Sequence, residues 1–273
     1  MQMKRMLCGI LAVLLLLCGC GRPERPVLRV AMSPDFAPME FVDPSKTGQD
    51  RFAGFDVSLA RYLAEGLEME LQIVPMSFND CQDALAEGTV DLAISGFSWL
   101  PQRAERFNLS DTYHAGDNEA KQVLLTTREN AGDFATAEAL RGQKIGVQTA
   151  SLQEWLVLEQ LPDAAAVPFE ELSEGVALLC SGAFCAMAVA EGNADAILRD
   201  NPGLCKSGFC FELTQELLDY RILLPKGADS LTESVNALLQ QAESAGYYPQ
   251  WYAQALEQAG INPHLAEKTN HEN

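Results

Sequence analysis

The chain has 273 residues and carries 38 Asp and Glu against 19 Lys and Arg, a formal net charge of −19 at pH 7. So large a surplus of carboxylates is unsuited to nucleic acid, whose phosphates are neutralised by Lys and Arg. With three histidines and no HExxH, GxSxG or P-loop motif, the common metalloprotease, hydrolase and nucleotide-binding signatures also go unmatched.

Residues 1–19 read as an export signal. Lys4 and Arg5 form a positive start, and Leu7 to Leu17 an apolar run too short to span a bilayer comfortably. Leu17-Cys18-Gly19-Cys20 resembles a lipoprotein cleavage box, with Cys20 as the lipidated first residue; a plain secretory signal cleaved nearby is the simpler alternative. The small residue followed by cysteine directly after the apolar run favours the lipoprotein. Residues 20–27 are then a polar tether, and the protein is expected outside the cytoplasm, anchored to the cell membrane by an N-terminal lipid. Removing residues 1–19 takes away Lys4 and Arg5 but no acid, so the mature chain is more acidic still. No later apolar run is long enough for a membrane helix, and the remaining length accommodates two lobes of ordinary domain size.

In chain order, Leu28 to Met32 reads as a first strand and Ser33 to Pro38 as a loop around Phe36. Phe55, Leu59, Leu63 and Leu67 recur every four residues, one face of a helix, with Asp56 in the first turn where a carboxylate complements the dipole. Met69 to Val74 is a strand, and Phe78 to Ala86 a helix ended by Gly88. Val90 to Ile94 is a buried strand, broken at Ser95-Gly96, where small residues permit close backbone approach. Pro101 suits the first position of a short helix, with Arg103 in its first turn.

Gln122 to Thr126 is an extended crossing to a second lobe. Ala137 to Leu140 (short helix), Lys144 to Val147 (strand), Ser151 to Leu161 (helix) and Val167 to Phe169 (strand) follow. Leu172 to Glu191 is helical by composition, with an interruption at Ser181-Gly182. Asp195 to Leu198 and Phe209 to Leu213 read as strands, and Tyr220 to Leu224 as the return crossing. Ser230 to Glu243 and Tyr248 to Ala259 are helices, and residues 263–273 a disordered tail. Strands alternating with helices make the class α/β.

A strand end that brings hydroxyls, free helix-terminal N–H groups and an arginine to one spot is an anion site. Ser95, Gly96, Ser98 and Arg103 are its candidates, the guanidinium fork matching a carboxylate in two parallel hydrogen bonds. Taken alone, Arg103 reads more readily as a solvated surface arginine than as a ligand residue.

The stretch from Asp91 to His114 resembles the amino-acid-binding receptors of ABC importers, solute-binding protein family 3. Asp91, Ser95, Ser98, Arg103, Phe107, Ser110, Asp111 and Tyr113 carry the likeness, and Gly54-Phe55-Asp56 matches a second signature. Leu100 departs from it, standing where a threonine is usual, so an N-cap hydroxyl is lost. The likeness runs from about Leu28 to Gly260. It implies a two-lobed periplasmic-binding-protein-like (type II) fold with two hinge crossings. Lobe 1 would comprise residues 28–122 and 221–262, and lobe 2 residues 123–220.

The resemblance also implies a function: a monomer that captures a small amino acid between closing lobes and delivers it to an ABC permease, with no cofactor and no metal. Arg103 and Ser98 would hold the carboxylate, helped from lobe 2 by Ser151, which equally suits a helix N-cap. Ala150 stands before it where the family has glycine. Asp200, five residues after Asp195 as in the family, would hold the ammonium; without the resemblance it reads equally as a turn-former before Asn201-Pro202. Phe36 and Phe78 would line the side-chain pocket. Ser33 stands where receptors for basic amino acids often carry an aspartate, which argues against a lysine or arginine specialist. Two alternatives share the fold: a cyclohexadienyl-dehydratase-like enzyme, and a ligand-sensing receptor domain, which would need a transmembrane or signalling segment after residue 260.

Cys180 and Cys185, and Cys205 and Cys210, form two C-x₄-C pairs. Outside the cytoplasm such pairs read as disulfides, with three possible connectivities. A four-cysteine zinc site is the sharper alternative, but the spacing is unusual for zinc and no histidine supports it. Cys81 is left over, buried in its helix.

Overall fold

The computed structural model of the chain describes residues 25–113 and 121–261. The expected export signal, the Cys20 anchor, most of the tether, His114 and the C-terminal tail lie outside the described residues. The first half contains β1 (Val27–Met32), β2 (Asp35–Phe36), β3 (Glu40–Val42), β4 (Phe52–Ala53), α1 (Phe55–Gly66), β5 (Glu70–Pro75), α2 (Phe78–Ala86), β6 (Leu92–Ser98), α3 (Pro101–Arg106) and β7 (Phe107–Leu109). Then come β8 (Gln122–Thr127), β9 (Lys144–Gln148), α4 (Leu152–Gln160), β10 (Ala165–Phe169), α5 (Leu172–Cys180), β11 (Ala186–Ala190), α6 (Glu191–Asp200), β12 (Leu204–Cys210), β13 (Tyr220–Pro225), α7 (Asp229–Ser244) and α8 (Tyr247–Gln258).

Two five-stranded sheets make two lobes. The first has the order β5-β1-β6-β13-β7 and the second β10-β9-β11-β8-β12; a small sheet β2-β3-β4 sits beside the first. In each large sheet the first three strands run parallel and the last two join antiparallel. Strands β8 and β13 are the crossings: the first leaves lobe 1 for the second sheet, and the other returns to pair with β6 and β7.

Strands β1 and β6 are buried on both faces, as expected of parallel strands covered by helices. Asp91 pins β6 to β1: its carboxylate accepts the Arg29 backbone N–H at 2.8 Å and the Arg29 guanidinium at 3.0 Å. Helix α1 buries Phe55, Leu59 and Leu63 in the lobe 1 core. It begins at Gly54, where φ is 119° and a Cβ would lie 2.2 Å from the Met39 carbonyl oxygen, so only glycine fits.

Three expectations change. The strand does not break at Ser95-Gly96; β6 continues to Ser98, with Gly96 in the left-handed region at φ 58°. Residues 137–140 form a turn rather than a helix. Between residues 181 and 200, strand and helix are exchanged: Ala186–Ala190 is the strand and Glu191–Asp200 the helix. The sequence AMAVA has little β-branching and no alternation. It becomes a strand because β8 and β9 flank it, and all five of its residues are buried. Helix α6 turns Asn193 and Ala194 inward and Asp195 outward, where Lys206 Nζ meets it at 2.8 Å.

The sheet register also overturns the expected pair of disulfides. Cys205 and Cys210 lie opposite Thr126 and Val123 of β8, three residue steps or about 10 Å apart. Cys185, just before β11, lies on the other side of β8, next to Ala186 opposite Thr126. Two strand spacings, about 10 Å, therefore separate it from Cys205, and Cys210 is farther still. A disulfide requires Cα atoms within about 7 Å. Each of the three ways to pair all four cysteines needs one of these separated couples. Cys180, Cys185, Cys205 and Cys210 are free, as is the buried Cys81.

Candidate functional site

Between the lobes lies a cavity of about 50 Å³. Phe36, Phe78, Ser95, Gly96, Ser98 and Arg103 reach it from lobe 1, and Ser151 from lobe 2. Asp200 does not: it is exposed at the C-terminal end of α6. The reason is the exchanged strand and helix. Counting from Asp195 presumed a strand there, whereas the strand whose end meets the cavity is β11, and its last residue is Ala190. The next residue, Glu191, is held by Lys206 at 3.0 Å and Lys121 at 3.6 Å.

Arg103 is 2% exposed, yet no carboxylate pairs with it among the described residues. Its Nη1 donates to the Ser98 carbonyl at 2.7 Å, its Nη2 to the Ala150 carbonyl at 2.6 Å and its Nε to Gln82 Oε1 at 3.3 Å. The Phe97 and Phe78 rings lie 5.2 and 5.4 Å from its carbon Cζ, which stabilises the cation. Burial still pulls its pKa down to about 9. A desolvated cation with only neutral acceptors is incomplete, and an anion entering the cavity would complete it.

The hydroxyl of Ser95 and the N–H of Gly96 are engaged by two carboxyl groups that no local sequence pattern places there. Ser95 Oγ donates to Glu40 Oε1 and accepts from the Ser33 N–H at 3.0 Å. Asp56 Oδ2 accepts from the Gly96 N–H at 3.0 Å and from the Tyr113 hydroxyl at 3.1 Å. Glu40 and Asp56 are both fully buried. Burial first, then the Asp56 charge, holds the Glu40 carboxyl protonated well above the usual range, and burial pushes Asp56 up to about 6. This pair supports β6 from behind and fixes the left-handed turn at Gly96. A Cβ there would meet Phe36 Cε1 at 2.8 Å.

Asp35 is the other unforeseen carboxylate. It lines the cavity, accepting from Ser33 Oγ at 3.1 Å and, across the cleft, from the Leu172 N–H at 3.1 Å. Burial raises its pKa. Its place beside Phe36 in a tight loop was the only sequence signal for it. Ser151 fills the role of helix cap, its Oγ accepting from the Glu154 N–H at 3.1 Å. Gln122 and Gln153, joined at 2.6 Å, Gln148 and Asn193 complete the polar wall of lobe 2. Groups of three or more metal-ligating side chains are absent among the described residues.

The sequence profile of the bacterial extracellular solute-binding proteins, family 3, matches residues 28–258. The chain belongs to this family. The arginine-binding extracellular protein ArtP of Bacillus subtilis is 28% identical over 222 residues, covering 80% of this chain and 82% of that one. An amino acid ABC transporter substrate-binding protein, AbpA of Streptococcus pneumoniae, solved with L-arginine, superposes with a TM-score of 0.75 at 28% identity, covering 85% of this chain and 95% of that one. An ancestral arginine-binding protein solved with glutamine superposes with a TM-score of 0.73 at 28% identity, covering 84% and 97%. The family match and these neighbours agree with the two-lobed fold. No helix among the described residues is long and apolar enough to cross a membrane.

Proposed function

We propose that the protein is an extracytoplasmic receptor that closes its two lobes on a small amino acid and hands it to an ABC permease. The observation that carries this reading is Arg103: a buried guanidinium on the cavity wall with only neutral partners. It suits the ligand carboxylate, with Ser98 and Ser151 beside it, Phe36 and Phe78 against the side chain, and Ser95 and Gly96 setting the wall. Asp35 takes the role first expected of Asp200 and receives the ammonium. Both lobes line the cavity, so a ligand bridging them favours the closed state. The hinge divides the chain near residues 122 and 220. The mature protein is a monomer tethered through a lipid on Cys20.

A thermal-shift screen against the twenty amino acids tests the reading, because a ligand that binds only the folded state raises its stability by mass action. At least one amino acid is expected to raise the midpoint, and Arg103→Ala to abolish the rise. A screen without any shift counts against the receptor.

One observation favours a second reading, a dehydratase on the same fold. Glu40 is a protonated carboxyl on the cavity wall, where a general acid could stand. Incubation with prephenate or arogenate separates the two. Phenylpyruvate or phenylalanine above background supports the enzyme, and unchanged substrate the receptor.

A further inference from the structure

The charged groups on the cavity wall are few enough to constrain the ligand's side chain. Among the described residues, Arg103, Asp35 and Glu40 are the side chains lining it that bear a carboxyl or guanidinium group, beside the phenol of Tyr220. Arg103 answers a carboxylate and Asp35 an ammonium, while Glu40 is engaged with Ser95 and Asp56. Among the described residues, the backbone charges of one amino acid therefore engage the wall's Arg103 guanidinium and Asp35 carboxylate. What remains to meet a side chain is neutral: the amides of Gln122, Gln148, Gln153 and Asn193. Asn193 is 6% exposed, and its Oδ1 has no hydrogen-bond partner among the described residues. An unpartnered buried acceptor on a cavity wall is a place for a ligand donor.

We propose that the ligand is an α-amino acid with an uncharged, hydrogen-bond-donating side chain, read by Asn193 on the first turn of α6. The proposal rests on the receptor reading above and sharpens it. A cationic side chain would be enclosed with neutral amides alone, and an anionic one would face Asp35 without a second cation; either leaves a desolvated charge unpaired. The relatives that bind arginine share the fold, but this chain ends β11 on Ala190 with Glu191 turned to two lysines.

Calorimetric titration of the wild-type protein with serine, asparagine, alanine, 2,4-diaminobutyrate, glutamate and arginine tests the idea. Asparagine and 2,4-diaminobutyrate are of similar length, so their comparison isolates charge from size. Serine or asparagine is expected to bind at least 100-fold more tightly than 2,4-diaminobutyrate, glutamate or arginine, and at least 10-fold more tightly than alanine. Asn193→Ala is expected to erase the preference over alanine. Asn193→Asp, which adds a carboxylate, is expected to narrow the gap to 2,4-diaminobutyrate. Arginine or 2,4-diaminobutyrate binding as tightly as asparagine overturns this inference alone. Failure of every α-amino acid to bind overturns the receptor reading with it.

Discussion

Arg103 of lobe 1 ends on the backbone of lobe 2, its Nη2 donating to the Ala150 carbonyl at 2.6 Å. Gln82, which accepts from Arg103 Nε, reaches the same carbonyl at 3.4 Å. The residue proposed to hold the ligand carboxylate is thus also a strut between the lobes. Ala150 takes the left-handed conformation, φ 58°, where glycine would be at ease, and its N–H is held by Glu154 Oε2 at 2.8 Å. Binding and closure meet at this point.

Removing the guanidinium should therefore be costly. Hydrogen bonds to charged groups contribute about 1.5–3 kcal/mol each, and about 1.4 kcal/mol is a factor of ten in affinity. Arg103→Ala is expected to weaken binding of the best ligand from the screen by roughly 100-fold or more, and Asp35→Asn by at least about tenfold. Asp200→Ala, on the exposed end of α6, should leave affinity unchanged. Calorimetry on the three variants, with circular dichroism to check the fold, decides. An Asp200 effect as large as that of Arg103 would refute this placement of the site.

Gly96→Ala should damage both stability and binding. The left-handed backbone disfavours an L side chain by about 1–2 kcal/mol, and the added methyl would press on Phe36 Cε1, 2.8 Å away. Phe36 would shift at the cavity wall. We expect a loss of about 1–3 kcal/mol in urea unfolding and at least tenfold weaker binding. Wild-type values for both would mean that Phe36 is not held where we describe it.

The buried carboxyl pair predicts a pH dependence. Asp56 is raised to about 6 in the folded protein against an ordinary 3.8, and Glu40 is raised well above 4.5. The folded state therefore holds these protons more tightly than the unfolded chain does. Their contribution is fully present below about pH 4 and is lost as pH rises through the folded values. At about 1.4 kcal/mol per unit, Asp56 alone accounts for a fall of roughly 2–3 kcal/mol between pH 4 and 7. Glu40→Gln, neutral at every pH, should make that fall shallower. Urea unfolding of both proteins across this range checks it, and identical slopes would remove Glu40 from the account.

All four cysteines of lobe 2 should be free thiols. Alkylation of the unfolded protein without reductant, followed by peptide mass mapping, is expected to label Cys180, Cys185, Cys205 and Cys210. Protection of all four, released by reductant, would mean that the register across β8 differs from the one described.

Local pattern was enough for much of this molecule. The four-residue spacing of Phe55, Leu59 and Leu63, the run Phe78 to Ala86 before Gly88, and Pro101 ahead of Arg103 each encode an element within a few residues. A helix closes its hydrogen bonds locally, so its signal is local too. The hydroxyl-rich strand end from Ser95 to Ser98, with Arg103 behind it, located one wall of the cavity. The strand Ala186–Ala190 was different. Its residues have no strand preference, and it exists because Gln122–Thr127, some sixty residues earlier, pairs with it. Missing that pairing put the expected ammonium residue at Asp200, which lies on an exposed helix end away from the cavity. It also allowed disulfides between cysteines that one intervening strand keeps apart. Asp35, Glu40 and Asn193 are ordinary polar letters in the sequence. Only the packing of two lobes could show which carboxyl is protonated, which still accepts a cation, and which amide oxygen lacks a partner, because charge and hydrogen-bond satisfaction depend on neighbours that the chain brings in from far away.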